Sequence, residues 1–284
     1  MSDGAFQKKF GPWVVVTGAS DGIGKAFAEH LAAQGLNIVL VARRQDILTR
    51  LADQLRKEHA IDVRVVVSDL SLPQGNVSLF AETKELDVGL VVAAAGFGTS
   101  GEFLSHAPDH EIQMLQVNCR AVLEQAWHFG NRLRIRGGGG MVLFGSLLGF
   151  QGAPLSANYA ATKAFVQTLA EGLRVEWQPL GIDVIACAPG PVHTGFAQRA
   201  DMQMAQATTP DVVARDTLTA LGRKGTVRPG WLSKFLGWSL STAPRFLRVR
   251  IMGQIMRSMT AHQVTPRLGQ DLIKRGRDAK RGSQ

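Results

Sequence analysis

Thr17-Gly-Ala-Ser-Asp-Gly-Ile-Gly24 follows directly on an apolar run, Trp13–Thr17, and opens a segment with helical spacing, Ile23–Gln34. Gly18, Gly22 and Gly24 let the backbone turn sharply and approach a pyrophosphate, whose charge then sits among the free N–H groups of a helix N-terminus. Ser20, Asp21 and Ile23 complete that loop. A glycine-rich string alone is a weak signal, and a bland tight turn has the same composition. A strand before it and a helix after it are the context a dinucleotide loop requires.

Outward from this loop, short runs rich in Val, Ile and Ala recur at Ile38–Ala42, Val63–Val67, Val88–Ala94, Met141–Phe144 and Asp183–Ala188. Longer segments of helical period separate them, among them Asp46–Glu58, Asp109–Arg134, Tyr159–Gln178 and Pro210–Leu221. The alternation predicts an α/β fold, a doubly wound parallel sheet with helices on both faces. Gly225–Pro229 is expected as a last edge strand, because its Pro is tolerated there. The division expected is one catalytic domain over 1–229 and a basic amphipathic helical extension over 230–284.

The 284 residues suffice for one large domain, and 45% hydrophobic against 19% charged residues excludes a disordered chain. Met1–Pro12 lacks the apolar stretch of a signal peptide and no run reaches the length of a membrane span, so a cytoplasmic protein is expected. Cys119 and Cys187 stand apart, which suits a reducing compartment and leaves no metal site to expect. The net charge of +9 is concentrated: residues 222–284 hold 14 of the 32 Lys and Arg and only two acids, Asp271 and Asp278. The rest is slightly acidic, unlike a basic nucleic-acid-binding domain, and no nucleic-acid partner is expected.

After the second strand come Arg43 and Arg44, where an NAD-binding protein places an acid for the ribose 2′-hydroxyl. Two guanidiniums instead offer bidentate donors to a 2′-phosphate, so NADP(H) is favoured over a merely solvated helix-entry pair. Asp69 and Leu70, after the third strand, fall where the adenine would lie. Asp69 reads equally as an acceptor for the adenine amine or as a helix cap. The single tyrosine, Tyr159, stands four residues before Lys163 on one helix face, where an ammonium can favour phenolate and make the phenol an acid/base group. Such a pair alone is commonplace. Ser146, ending the strand Met141–Phe144, adds a hydroxyl at the strand's carboxyl end that could hold a substrate carbonyl.

The glycine loop, Asp69, Asn118, Ser146, Tyr159-x-x-x-Lys163 and Pro189-Gly-Pro-Val-His-Thr194 together resemble the short-chain dehydrogenase/reductases, a Rossmann-type family, over about residues 12 to 229. The wording of the loop and the Arg pair are similar to the 3-oxoacyl and hydroxysteroid reductase branch. The resemblance implies that Tyr159 transfers the proton and Lys163 tunes it and binds the nicotinamide ribose. It implies that Ser146 orients the substrate and that Asn118 holds a relay water, although Asn118 alone reads as an ordinary helix polar residue. Ala95 and Gly96 allow close cofactor approach, and Pro189, Gly190, Val192 and Thr194 flank the nicotinamide. One departure is Ala94-Ala95-Gly96, where the family has Asn-Ala-Gly. Losing that side chain removes a bridge worth about 1 kcal/mol.

These residues imply hydride transfer between nicotinamide and a carbonyl or alcohol, with an apolar, lipid-like substrate and a homo-oligomer expected. A non-catalytic NADP-binding regulator on the same fold is the rival, opposed by Ser146, which cofactor binding does not need. An epimerase or dehydratase sharing Tyr-x-x-x-Lys is disfavoured by glycine spacing and length. Phe196–Thr209, with Met202 and Met204, occupies the variable substrate loop. The tail, where Trp231, Phe235, Trp238 and Phe246 alternate with arginines, reads as a helical cap or subunit contact. It reads alternatively as a peripheral membrane contact through 231–260.

Overall fold

The structure is a computed structural model that describes residues 3–204 and 206–263. A short helix, α1 (Asp3–Phe10), leads into β1 (Trp13–Thr17). There follow α2 (Gly22–Ala33), β2 (Asn37–Ala42), α3 (Gln45–His59), β3 (Val63–Val67), α4 (Pro73–Thr83), β4 (Val88–Ala93), α5 (Pro108–Leu115), α6 (Ala121–Arg136) and β5 (Gly139–Phe144). The chain continues through α7 (Ala157–Trp177), β6 (Ile182–Cys187), α8 (Gly195–Arg199), α9 (Pro210–Ala220), β7 (Thr226–Val227), α10 (Gly230–Ser241) and α11 (Arg245–Met259). The strands form one parallel sheet in the order β3-β2-β1-β4-β5-β6-β7, the Rossmann-type arrangement.

Why the strands read as unbroken apolar runs is visible in their burial. Val14 and Val16 of β1, Leu90 and Val92 of β4 and Ile185 of β6 enter one core with Phe27 and Leu31 of α2 and Val213 of α9. The intervening Val15, Val91 and Val184 enter a second core with Phe129 and Leu133 of α6 and Val166 of α7. Successive side chains point to opposite faces and helices cover both, so both sets must be apolar.

The expected single helix over Asp109–Arg134 is interrupted. Between α5 and α6 the backbone makes a π turn, Gln116–Arg120, that inserts one residue at Asn118. The helical course continues on either side, so the segment still reads as one helix from its apolar residues. The tail is two helices, broken at Pro244, which caps α11. The solvated end expected beyond Arg267 lies outside the described residues.

Candidate active site

The sheet order reverses at β1, whose neighbours are β2 and β4, and a crevice of about 350 Å³ opens at the carboxyl ends there. Gly18, Ser20, Asp21, Gly22, Ile23 and Gly24 line it from the β1–α2 loop. A Cβ on Gly24 would lie 2.4 Å from the Gly18 carbonyl oxygen, so only glycine lets α2 begin against the loop. Gly22 has φ +52° and faces the methyl of Thr194, which would stand 2.6 Å from an added Cβ. The opposite lip is Ala95 and Gly96 after β4. In place of the absent Asn side chain, the Thr17 hydroxyl accepts from the Ala95 N–H at 3.1 Å and ties β1 to β4.

Arg43, Arg44, Asp69 and Leu70 form one end of the crevice. Arg44 donates to the Ser20 hydroxyl (3.0 Å) and carbonyl (3.1 Å), bracing the glycine loop. Arg43 is exposed and lies 3.9 Å from the Asp69 carboxylate. Asp69 caps neither helix: α4 starts after Leu72, and the Asp69 Oδ1 accepts from the Ser71 N–H (2.9 Å) and hydroxyl (2.7 Å). Burial raises this carboxyl, but the Ser71 bonds and Arg43 outweigh it and hold the group below the usual range. Its other oxygen faces the arginines. Asp21, on the loop, reaches Arg199 of α8 at 3.8 Å across the crevice mouth.

Beyond Gly96 lies a buried polar cluster. A Cβ on Gly96 would sit 3.0 Å from the Asn118 Oδ1 and 3.6 Å from the Lys163 Nζ. Asn118 donates to the Phe97 carbonyl (2.9 Å) and the Thr162 hydroxyl (3.0 Å) and accepts from the Phe97 N–H (3.2 Å). The π turn thus aims an amide that ties the loop after β4 to α7. Lys163 donates to the Phe144 carbonyl at 2.9 Å and stands 5.6 Å from the Tyr159 ring centre. The Ser146 hydroxyl accepts from the Leu148 N–H at 3.2 Å. Tyr159, Ser146 and Lys163 are all buried.

The electrostatics differ from the simple expectation for Lys163. Burial pushes the Tyr159 phenol up to about 12, opposed by its hydrogen bond with Ser146. Burial likewise brings the Lys163 ammonium down to about 8, against the attraction of the Cys119 and Cys187 sulfurs. Desolvation dominates both groups, and one N–H of the Lys163 ammonium is held by the Phe144 carbonyl.

On the far side of the cluster, the Pro189 carbonyl accepts from Leu147 N–H (3.0 Å), and Val192 pairs with Thr208 as an isolated bridge. The Gly190 N–H donates to the hydroxyl of Ser233 on α10 at 2.9 Å. The Thr194 hydroxyl caps α8 by accepting from the Phe196 N–H (3.1 Å). The Phe196 ring lies 5.3 Å from that of Tyr159 and belongs to an apolar cluster with Leu148, Met202 and Met256 of α11. Pro189, Gly190 and Val192 do not line the crevice itself, nor do Asn118, Ser146, Tyr159 and Lys163, which lie behind its Gly96–Phe97 lip. Among residues the sequence reading missed, Phe97, Gln113, Val117 and Arg199 line it. Ser233 had no local signal, since its partner is 43 residues away in the chain.

A dinucleotide-sized crevice at the switch point, beside a buried Tyr, Lys and Ser, defines a nicotinamide-dependent oxidoreductase. Residues 12–205 match the short chain dehydrogenase family model, and the chain belongs to that family. It is 32% identical over 233 residues to the 7beta-hydroxysteroid dehydrogenase of Clostridium sardiniense, covering 81% of this chain and 89% of that one. A solved 7beta-hydroxysteroid dehydrogenase superposes with a TM-score of 0.81 at 26% identity, over 87% of this chain and 98% of the other. A short-chain dehydrogenase from Sphingobium yanoikuyae in complex with NADPH superposes with a TM-score of 0.73 at 28% identity, over 81% and 93%. The protein is an oxidoreductase that interconverts an alcohol and a carbonyl with a nicotinamide cofactor.

Proposed function

We propose that the cofactor is NADP(H) and that the substrate is a bulky apolar ketone or its secondary alcohol, steroid-like or 3-oxoacyl. The observation that carries this reading is the buried Tyr159, whose ring lies 5.3 Å from that of Phe196, a residue that both lines the glycine-loop crevice with its arginine pair and packs against the apolar cluster. The missing Cβ atoms at Gly22 and Gly24 leave room for a pyrophosphate, and Arg43 and Arg44 fit a 2′-phosphate; the solved relative holding NADPH supports that choice. When bound, the nicotinamide supplies or accepts the hydride. Its remaining neighbours would be Asp69 and Leu70 at the adenine, and Pro189, Gly190, Val192 and Thr194 at the nicotinamide.

In reduction Tyr159 donates its phenolic proton to the carbonyl oxygen, which the Ser146 hydroxyl holds in place. A phenol raised to about 12 is a protonated donor at neutral pH. In oxidation the Lys163 ammonium would favour the phenolate, and a bound oxidised nicotinamide would add positive charge in the same sense. Asn118 keeps the Gly96–Phe97 backbone against α7, so that hydride and proton arrive at one carbonyl.

We assign residues 1–229 to the catalytic domain and 230–284 to the extension. Phe165 and Leu169 on the outer face of α7 flank a shallow apolar groove suited to self-association. Two free thiols fit a reducing, cytoplasmic setting, and residues 231–260 fit contact with a membrane surface. The test is NADPH oxidation with a panel of steroid ketones and 3-oxoacyl thioesters. Tyr159→Phe should lower kcat by about 10²–10⁴-fold with unchanged melting temperature. Equal turnover by the variant would refute the assignment, and no turnover by either protein would favour a regulator.

A further inference from the structure

The extension has two unlike faces. Inward, Ser233 and Gly237 of α10 and Met252, Gly253 and Met256 of α11 are buried. Ser233 holds the loop at Gly190, Arg228 lies over the Phe150 ring at 4.6 Å, and Met256 joins the apolar cluster that reaches Tyr159. Outward, Trp231, Phe235 and Trp238 stand at i, i+4 and i+7, one helical face, and are 73%, 57% and 67% exposed. Phe246 and Leu247 at the start of α11 continue the apolar surface at 65% and 40%. A globular protein normally buries such rings, and a helix whose polar side is satisfied inward has no folding reason to expose them.

The charge carried by the two helices has one sign, although Lys234 is paired with Asp216 of α9 at 3.6 Å. From Gly230 to Met259 the chain carries Lys234, Arg245, Arg248, Arg250 and Arg257, and no Asp or Glu. Arg245, Arg250 and Arg257 are exposed. Long basic side chains beside Trp and Phe are the chemistry of the bilayer interface, where rings enter the headgroup boundary and guanidiniums meet phosphate. Among the described residues no helix is long and apolar enough to cross a membrane, so the contact would be peripheral.

We propose that the outer face of α10 and the first turns of α11 is a docking surface for an anionic lipid bilayer, one that sets the substrate wall of the crevice against the membrane. It rests on the reading of that crevice as a site for an apolar ketone, a substrate that partitions into lipid, and it gives the substrate a source. A bilayer fits better than a nucleic acid because the exposed groups are bulky rings on one face of α10, with Phe246 and Leu247 at the start of α11, and not a basic groove.

The experiment is flotation of the full chain with phosphatidylcholine vesicles, alone or with about a third phosphatidylserine. At least about tenfold more protein should float with the anionic vesicles, and raised salt should reduce it. Trp231→Ala/Phe235→Ala/Trp238→Ala and Arg245→Gln/Arg250→Gln/Arg257→Gln should each lose flotation while oxidising NADPH with a water-soluble ketone as the wild type does. Equal flotation on neutral vesicles, undiminished flotation of the aromatic variant, or displacement from vesicles by a single-stranded oligonucleotide overturns the proposal. Flotation needs no turnover, so vesicle binding without NADPH oxidation would defeat the catalytic reading alone, and turnover without binding would defeat the docking one alone.

Discussion

At the residue scale, Tyr159 and Lys163 show two opposed burial effects that titration of the cofactor-free protein can separate. Lys163 is charged up to 10.5 in an ordinary setting but only to about 8 in the fold. Between those values the unfolded chain binds more protons at Lys163, so stability should rise as pH goes from 8 to 9, above which the buried Cys187 thiol, raised from 9.0 to about 12, acts in the opposite sense. Tyr159 also opposes Lys163, because the fold keeps a proton that the free phenol loses at 10.0, and stability should fall from pH 10 to about 12. Thermal melting from pH 7 to 9 should show the rise, and Lys163→Met should flatten it; an equal slope in the variant would mean another group is responsible. Arg43 and Arg44 make a second test. Replacing both by Ala should raise KM for NADPH by about 10–100-fold and leave NADH little changed, the loss expected of charge-assisted hydrogen bonds. Equal loss with both cofactors would assign the pair to bracing Ser20 rather than to the 2′-phosphate.

At the element scale, the β1–α2 turn and the π turn between α5 and α6 were unequally legible. The glycines of the former are a local necessity: a side chain at Gly24 collides with backbone two turns of loop away, and no rotamer relieves it. Gly24→Ala should therefore abolish the thermal shift caused by NADP⁺, measured by melting with and without the nucleotide. A retained shift would show that α2 can move away from the loop. The π turn has no comparable mark in the sequence. Asn118 could be picked out only by resemblance, since the reason for it, a hydrogen-bonded bridge from Phe97 to Thr162, joins segments far apart in the chain. The helix Asp3–Phe10 was likewise unread. Phe6 and Phe10 are buried in the first core, but a single turn and a half of apolar spacing is too short to register as a period.

At the scale of the whole molecule, the extension packs against the loop that precedes it and closes one apolar cluster. Met256 and Met259 complete a cluster that also contains Leu148, Met202 and Phe196, and α11 is pinned further by the Gln203 N–H donating to the Met259 carbonyl at 2.9 Å. A chain ending at Pro229 should expose that cluster, melt several degrees lower and lose turnover of steroid-sized ketones more than of small ones, as kcat/KM for each would show. Uniform loss on all ketones would make the extension a general brace for the Gly190 loop, through Ser233, and not a substrate wall.

The parallel sheet, its doubly covered faces and the dinucleotide loop were determined by the sequence alone, because each depends on a repeat of two or of 3.6 residues or on a turn that only glycine can make. Tertiary structure alone decided the electrostatic state of Tyr159 and Lys163, the bridging of Asn118, the Thr17 tie that replaces a missing Asn, and the side of the molecule on which the tail lies. These depend on desolvation and on partners brought together by packing, and neither quantity has a period along the chain.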